Sequence, residues 1–93
     1  MSVSIIIPTL NEENYIADCL ESLLASLTDF KEYEILIVDG ESNDNTVNIV
    51  NQFRKNNQRI KIINNPKKIA PSALNLGVEA SKYEIIIRCD AHA

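Results

Sequence analysis

Four short apolar runs alternate with three segments of helical periodicity, and this alternation limits the possible folds more than any other feature of the chain. "VSIIIP" (residues 3–8) and "EILIVDG" (34–40) are largely apolar, as strands buried on both faces are, and "YEIIIRC" (83–89) reads as a further apolar strand. "RIKIINN" (59–65) alternates and stops at Pro66, which suits a strand at an edge. Between the first two runs, Tyr15, Ile16, Cys19, Leu20, Leu23, Leu24 and Leu27 form one helical stripe, with Asn11 as the expected N-cap and Glu12 and Glu13 at the positive end of the dipole. Val47, Ile49, Val50 and Phe53 share a face of a second helix, and "APSALNLGVEAS" (70–81) opens a third with Pro71 in its first turn. The order β-α-β-α-β-α-β predicts an α/β fold: a doubly wound, mainly parallel four-stranded sheet with helices on both faces and right-handed crossovers.

Ligands of such sheets bind outside the carboxyl ends of the strands. Pro8, Thr9, Asp39 and Asp90 all lie at those ends, so residues far apart in sequence are expected in one crevice. Asp39 follows four apolar residues; an ionised carboxylate only accepts hydrogen bonds, so it suits an N–H edge such as the imide of uracil. Its competing role is to cap the loop that follows. "SNDNT" (42–46) is turn and N-cap chemistry, which assigns Ser42, Asn43 and Thr46 to capping, while Glu41 and Asp44 can also face the crevice. Asp90 and His92 stand at i and i+2 of an extended segment, on one side, where they could share a divalent cation that neutralises a diphosphate. A lone histidine is more often a plain surface residue.

Composition narrows the partners. A net charge of −4 excludes a general nucleic-acid binder, which needs a basic face. Cys19 and Cys89, the only two cysteines, lack metal-ligand spacing and fall in apolar registers, so both are expected to be reduced core thiols of a reducing compartment. No apolar stretch approaches the roughly 20 residues of a membrane span. The start lacks the basic and small-residue features of a signal peptide, and the expected location is cytoplasmic.

With these motifs in order, the chain resembles the N-terminal half of the family 2 glycosyltransferases, which have the GT-A fold. The resemblance is carried by "SIIIPTLNEENYIADCLESL" (4–23), "EILIVDGESNDNT" (34–46) and "SALNLGVEASKYEIIIRCDAHA" (72–93), the last resembling the Asn-x-Gly helix and the strand that leads to the family's D-x-D motif. It implies one domain over residues 1–93, the Rossmann-like, nucleotide-sugar-binding half of a GT-A domain, truncated after the metal motif. Pro8, Thr9, Asn11, Glu12, Asp39, Glu41 and Asp90 would bind a nucleoside-diphosphate sugar, UDP-linked by family habit. Asp90 and His92 would hold Mn²⁺ or Mg²⁺. Transfer would go, with inversion by direct displacement, to a hydroxyl of a glycan or lipid-linked acceptor, and the full-length protein could sit peripherally at the inner face of a membrane. Two positions depart from the family pattern: His92 replaces the second acid, and Leu74 stands where many members have an arginine before Asn75. No catalytic base can be assigned.

Rival folds fail on specific residues. A phosphoacceptor receiver domain wants an acidic pair after its first strand, where this chain has Thr9-Leu10-Asn11. A dinucleotide-binding fold wants G-x-G-x-x-G there, and the only glycines are Gly40 and Gly77. A catalytically inactive, nucleotide-binding fragment remains the alternative. The fourth strand is expected to leave Ile85, Ile86 and Ile87 at an unpaired edge, which points to a homo-oligomer.

Overall fold

The computed structural model describes residues 1–92. Four strands, β1 (Ser2–Thr9), β2 (Glu32–Asp39), β3 (Ile60–Asn64) and β4 (Ile85–Arg88), form one sheet in the order β3-β2-β1-β4. Every neighbouring pair is parallel. Three helices connect them: α1 (Ile16–Ser26), extended by a 3₁₀ turn at Leu27–Asp29; α2 (Thr46–Arg54); and α3 (Ala70–Ala80). This is the predicted α/β architecture.

The period-two alternation of strand side chains divides the core in two. Val3, Ile5, Ile7, Ile35, Ile37 and Ile60 point to the face covered by α1 and α2, where they meet Ile16, Leu20 and Val50. Ile6, Leu36 and Val38 point to the opposite face, where Ala73 of α3 packs on them. Each fully buried isoleucine is worth about 1.5–3 kcal/mol relative to exposure. α3 lies close to β1: a Cβ on Gly77 would sit 2.7 Å from Ile6 side-chain atoms, so only glycine permits this approach.

β1 and β2 are flanked on both sides and buried over most of their length, whereas β4 is an edge strand with all four residues exposed. β3 is the other edge, as its alternation predicted.

Two capping expectations are corrected. Asn11 does not cap α1, which starts at Ile16 with Tyr15 as N-cap and no side-chain cap bond. Asn11 instead adopts a left-handed φ of 55°, a conformation asparagine tolerates, and bonds across to the loop after β2. Ser42, Asn43 and Thr46 do not cap α2. The N-cap is Asn45, without a side-chain cap bond; Asp44, one residue earlier, accepts the Thr46 N–H at 2.9 Å, and Ser42 and Thr46 bridge between loops.

At the amino ends of the strands, Glu34 is 2% exposed. It accepts hydrogen bonds from Ser4 Oγ (2.7 Å), Lys82 N (2.5 Å) and Lys61 Nζ (3.0 Å), and Ser4 Oγ in turn accepts Tyr83 N at 3.1 Å. Burial alone would push Glu34 up, but the Lys82 amide, the Ser4 hydroxyl and the Lys61 ammonium hold its carboxyl below the ordinary range. The network fastens the α3–β4 turn to the sheet. No described helix is long and apolar enough to cross a membrane.

Candidate nucleotide site

β1, α1, β2 and α2 wind one way from β1, and α3 carries the chain back across the sheet to β4 on the other side of β1. The reversal leaves a crevice outside the carboxyl ends of β1 and β4, where open α/β sheets bind ligands.

Loops from three strands build this end. Asn11 N donates to Ser42 Oγ at 2.8 Å and Asn43 N donates to Asn11 Oδ1 at 2.8 Å. Glu12 N donates to Thr46 Oγ1 at 2.8 Å, and Glu13 N to Asp44 Oδ2 at 3.2 Å. Gly40 N donates to Thr9 O at 2.8 Å. The third loop joins through Asn65, whose N–H donates to Asp39 O and whose side chain spans Ile69 O and Ser72 Oγ. Gly40 is where the loops meet: a Cβ there would lie 3.1 Å from Lys68 Cα and 3.4 Å from Thr9 O. Burial would raise Asp44, but the hydroxyl and amide of Thr46 and the Glu13 amide hold it below the ordinary carboxylate range.

The pocket in the crevice is lined by Pro8, Thr9 and Glu12 from the end of β1, Lys68 and Ile69 from the β3–α3 loop, and Arg88 and Asp90 from the end of β4. Four of the sequence-predicted residues therefore meet: Pro8, Thr9, Glu12 and Asp90. Asp39, 4% exposed, lies behind the wall rather than in it; its carboxylate accepts Thr9 Oγ1 (2.7 Å), Ser42 N (2.9 Å) and Ser42 Oγ (2.6 Å). Asn11 and Glu41 are also outside the lining; Glu41 lies 3.9 Å from Lys68 Nζ. Leu74 is packed on the α3-side core.

Asp90 and His92 part at a bend. Asp90 Oδ1 pairs with Arg88 Nε at 3.0 Å, while His92 stacks on Tyr15 with ring centroids 4.3 Å apart. His92 Nδ1 approaches Glu12 Oε1 at 2.5 Å, but the contact does not meet hydrogen-bond geometry and leaves this buried oxygen without a donor. The orphaned Glu12 oxygen is a donor of the kind divalent cations take, and Asp90 lines the same pocket. Among the described residues no three His, Cys, Asp or Glu side chains converge on one point, so ligand oxygens would have to complete the shell. Burial, with the Cys89 thiol beside it, pushes Cys19 up to about 12, so this thiol is protonated and no nucleophile.

Sequence reasoning missed Lys68 and Arg88. Arg88 carried a readable signal, since it stands two residues before Asp90 on a strand and so shares its face. Lys68 carried none; it adopts a left-handed φ of 63° where the loop runs close to Gly40.

Residues 4–93 match the family described as Glycosyl transferase family 2. A dolichyl N-acetyl-alpha-D-glucosaminyl phosphate 3-beta-D-2,3-diacetamido-2,3-dideoxy-beta-D-glucuronosyltransferase of Methanococcus voltae is 41% identical over 93 residues, covering 98% of this chain and 29% of that protein. Among solved structures, S. aureus TarS 1-349 in complex with UDP-GlcNAc superposes with a TM-score of 0.81 at 30% identity, over 98% of this chain and 26% of that one. The mannosyltransferase PcManGT from Pyrobaculum calidifontis, in complex with GDP-Man and Mn²⁺, shares the fold with a TM-score of 0.84 at 24% identity, over 96% and 27%. The chain thus spans under a third of the length of each.

Proposed function

Since the chain belongs to glycosyl transferase family 2, we propose that it forms the donor-binding part of an enzyme that transfers a sugar from a nucleoside-diphosphate sugar, UDP-linked, to a hydroxyl of a glycan or lipid-linked acceptor. The observation that carries this reading is the convergence of Pro8, Thr9, Glu12, Arg88 and Asp90 in the crevice between β1 and β4. Backbone and apolar surface from Pro8, Thr9 and Ile69 suit a flat base and ribose, while charged groups at the β4 side suit a diphosphate. Asp39 acts from behind the wall by fixing the Thr9 hydroxyl and the Ser42 loop, and it reaches the base edge when Ser42 rotates away. Glu41 and Asn11 border the same end through the loops they tie together.

Asp90 and His92 would hold Mn²⁺ or Mg²⁺ together with diphosphate oxygens. Such an ion, when bound, neutralises the departing nucleoside diphosphate. The second reading is a chain that binds the nucleotide without transferring a sugar. One experiment separates the two: calorimetric titration of the 93-residue chain with UDP and GDP, with and without Mn²⁺, followed by a transfer assay with UDP-sugars. Micromolar binding without transfer favours the binding module. No binding of either nucleotide overturns both readings. Self-association through β4, where Ile85, Ile86 and Ile87 are all exposed, is part of the same proposal, and a clean monomer in sedimentation at micromolar concentration would remove it.

A further inference from the structure

We propose that Arg88 is a resident counter-cation of the pocket, which lets this chain hold a diphosphate group without a divalent metal ion. The proposal rests on the nucleotide-binding reading but makes a separate claim about one side chain. Arg88 pairs in register with Ile6, whose side chain belongs to the α3 face of the sheet, so Arg88 leaves β4 on that same face, into the pocket. Its only ion pair among the described residues is through Nε, to Asp90 Oδ1 at 3.0 Å. Nη1 and Nη2 make no hydrogen bond among the described residues, so the rest of the guanidinium fork is open to an anion.

Charge balance gives this fork a purpose. The pocket wall carries two carboxylates, Glu12 and Asp90, and two cations, Lys68 and Arg88. A diphosphate approaching Asp90 alone would be repelled. A guanidinium that keeps Nε on Asp90 and turns its Nη groups to the phosphate bridges the two anions, as a metal ion would. The Arg88–Asp90 pair is half-exposed, so it adds little to the stability of the fold and is available for exchange. Lys68 is a weaker candidate, because it is drawn towards Glu41 at 3.9 Å and offers a point charge rather than a fork.

The test uses inorganic pyrophosphate and UDP as probes, followed by backbone amide NMR in excess chelator, on the wild-type chain and on Arg88→Gln and Arg88→Lys. Wild type should bind both probes without metal. Arg88→Gln should bind them about tenfold more weakly or worse, as loss of a charge-assisted hydrogen bond implies, with Arg88→Lys in between. Adding Mn²⁺ should narrow the gap between wild type and Arg88→Gln. Unchanged amide positions away from the pocket show that the variants fold. The proposal is overturned if Arg88→Gln binds pyrophosphate in chelator as well as wild type does, or if wild type binds neither probe until Mn²⁺ is added. UDP binding that appears only with Mn²⁺ leaves the nucleotide reading standing and removes the role of Arg88. Pyrophosphate binding in chelator that UDP does not improve upon does the reverse.

Discussion

β2 carries a buried carboxylate near each end, and the two are held in different ways. Glu34, near the amino end, is tied to a full cation, Lys61, and to the backbone N–H of Lys82, 48 residues along the chain. Asp39, at the carboxyl end, is held by two hydroxyls, Thr9 and Ser42, and by one amide of its own loop. A carboxylate fixed by a distant backbone amide keeps that partner, because the amide cannot turn to another acceptor. One held by rotatable hydroxyls can exchange a donor for a ligand's N–H at little cost, because each hydroxyl can turn to another acceptor. The first arrangement fastens the fold; the second leaves a site that can respond. Both stand on the same strand, so the contrast comes from the neighbours and not from depth alone.

The largest expected effect is at Glu34. Glu34→Ala strips the acceptor from the buried Ser4 hydroxyl and from the Lys82 amide, and each orphaned donor costs about 1–3 kcal/mol. Because the bond from the Lys82 amide is only part-buried, the total loss should fall in the lower part of the summed range, about 2–4 kcal/mol, read from the urea midpoint. If Glu34→Ala unfolds no earlier than Asp39→Ala, the contrast between the two ends is wrong. Asp39→Ala should show its main effect elsewhere, in UDP affinity, by about 1.5–3 kcal/mol if the base edge uses this carboxylate. Calorimetry that finds the same affinity in the variant would return Asp39 to the role of loop cap.

The sequence already displayed much of this. Apolar runs at 3–8 and 35–38 marked the buried central strands, and the break at Pro66 marked an edge. Of the acids at the strand ends, Asp90 lines the crevice and Asp39 lies behind its wall. The Glu34 network was invisible, because a glutamate at the start of an apolar run looks like a solvated strand end. Only the register Ser4↔Glu34, with Lys61 on the next strand, closes it. The caps were misread for a related reason: Asn11, Ser42 and Thr46 have the right side chains for capping, but their partners lie 31 to 34 residues away, on the facing loop. Local pattern identifies a donor or acceptor without identifying what it will meet.

A pH titration sharpens the comparison next. Glu34 is held below its ordinary value of 4.5. Its contribution to stability is therefore complete above that value and is lost as pH falls through the lowered folded-state value, where the native carboxylate at last takes up a proton. Asp44, also lowered, acts in the same direction. Wild type should lose stability steadily as pH falls below the ordinary glutamate value of 4.5. Glu34→Gln, which cannot titrate there, should show a visibly flatter acid limb in urea midpoints. An identical slope in the two proteins would mean that Glu34 is not the carboxylate that acid attacks.

The smallest effect should come from Lys61, and it tests which partner makes Glu34 structural. The ammonium is 53% exposed while the carboxylate it meets is 3% exposed. Its side chain is free to be solvated when unpaired, so the pair should contribute only about 0–1 kcal/mol. Lys61→Ala leaves Ser4 and the Lys82 amide on the carboxylate, and those two bonds connect β1, β2 and the turn into β4. The expected result is a small shift in urea midpoint, with the α3–β4 turn still protected against hydrogen exchange at Lys82 and Tyr83. A loss that matched Glu34→Ala would reverse this assignment. The cation would then be the group that makes the buried carboxylate tolerable, and Asp39, which has no such cation, would stand out further as the carboxylate kept for a ligand.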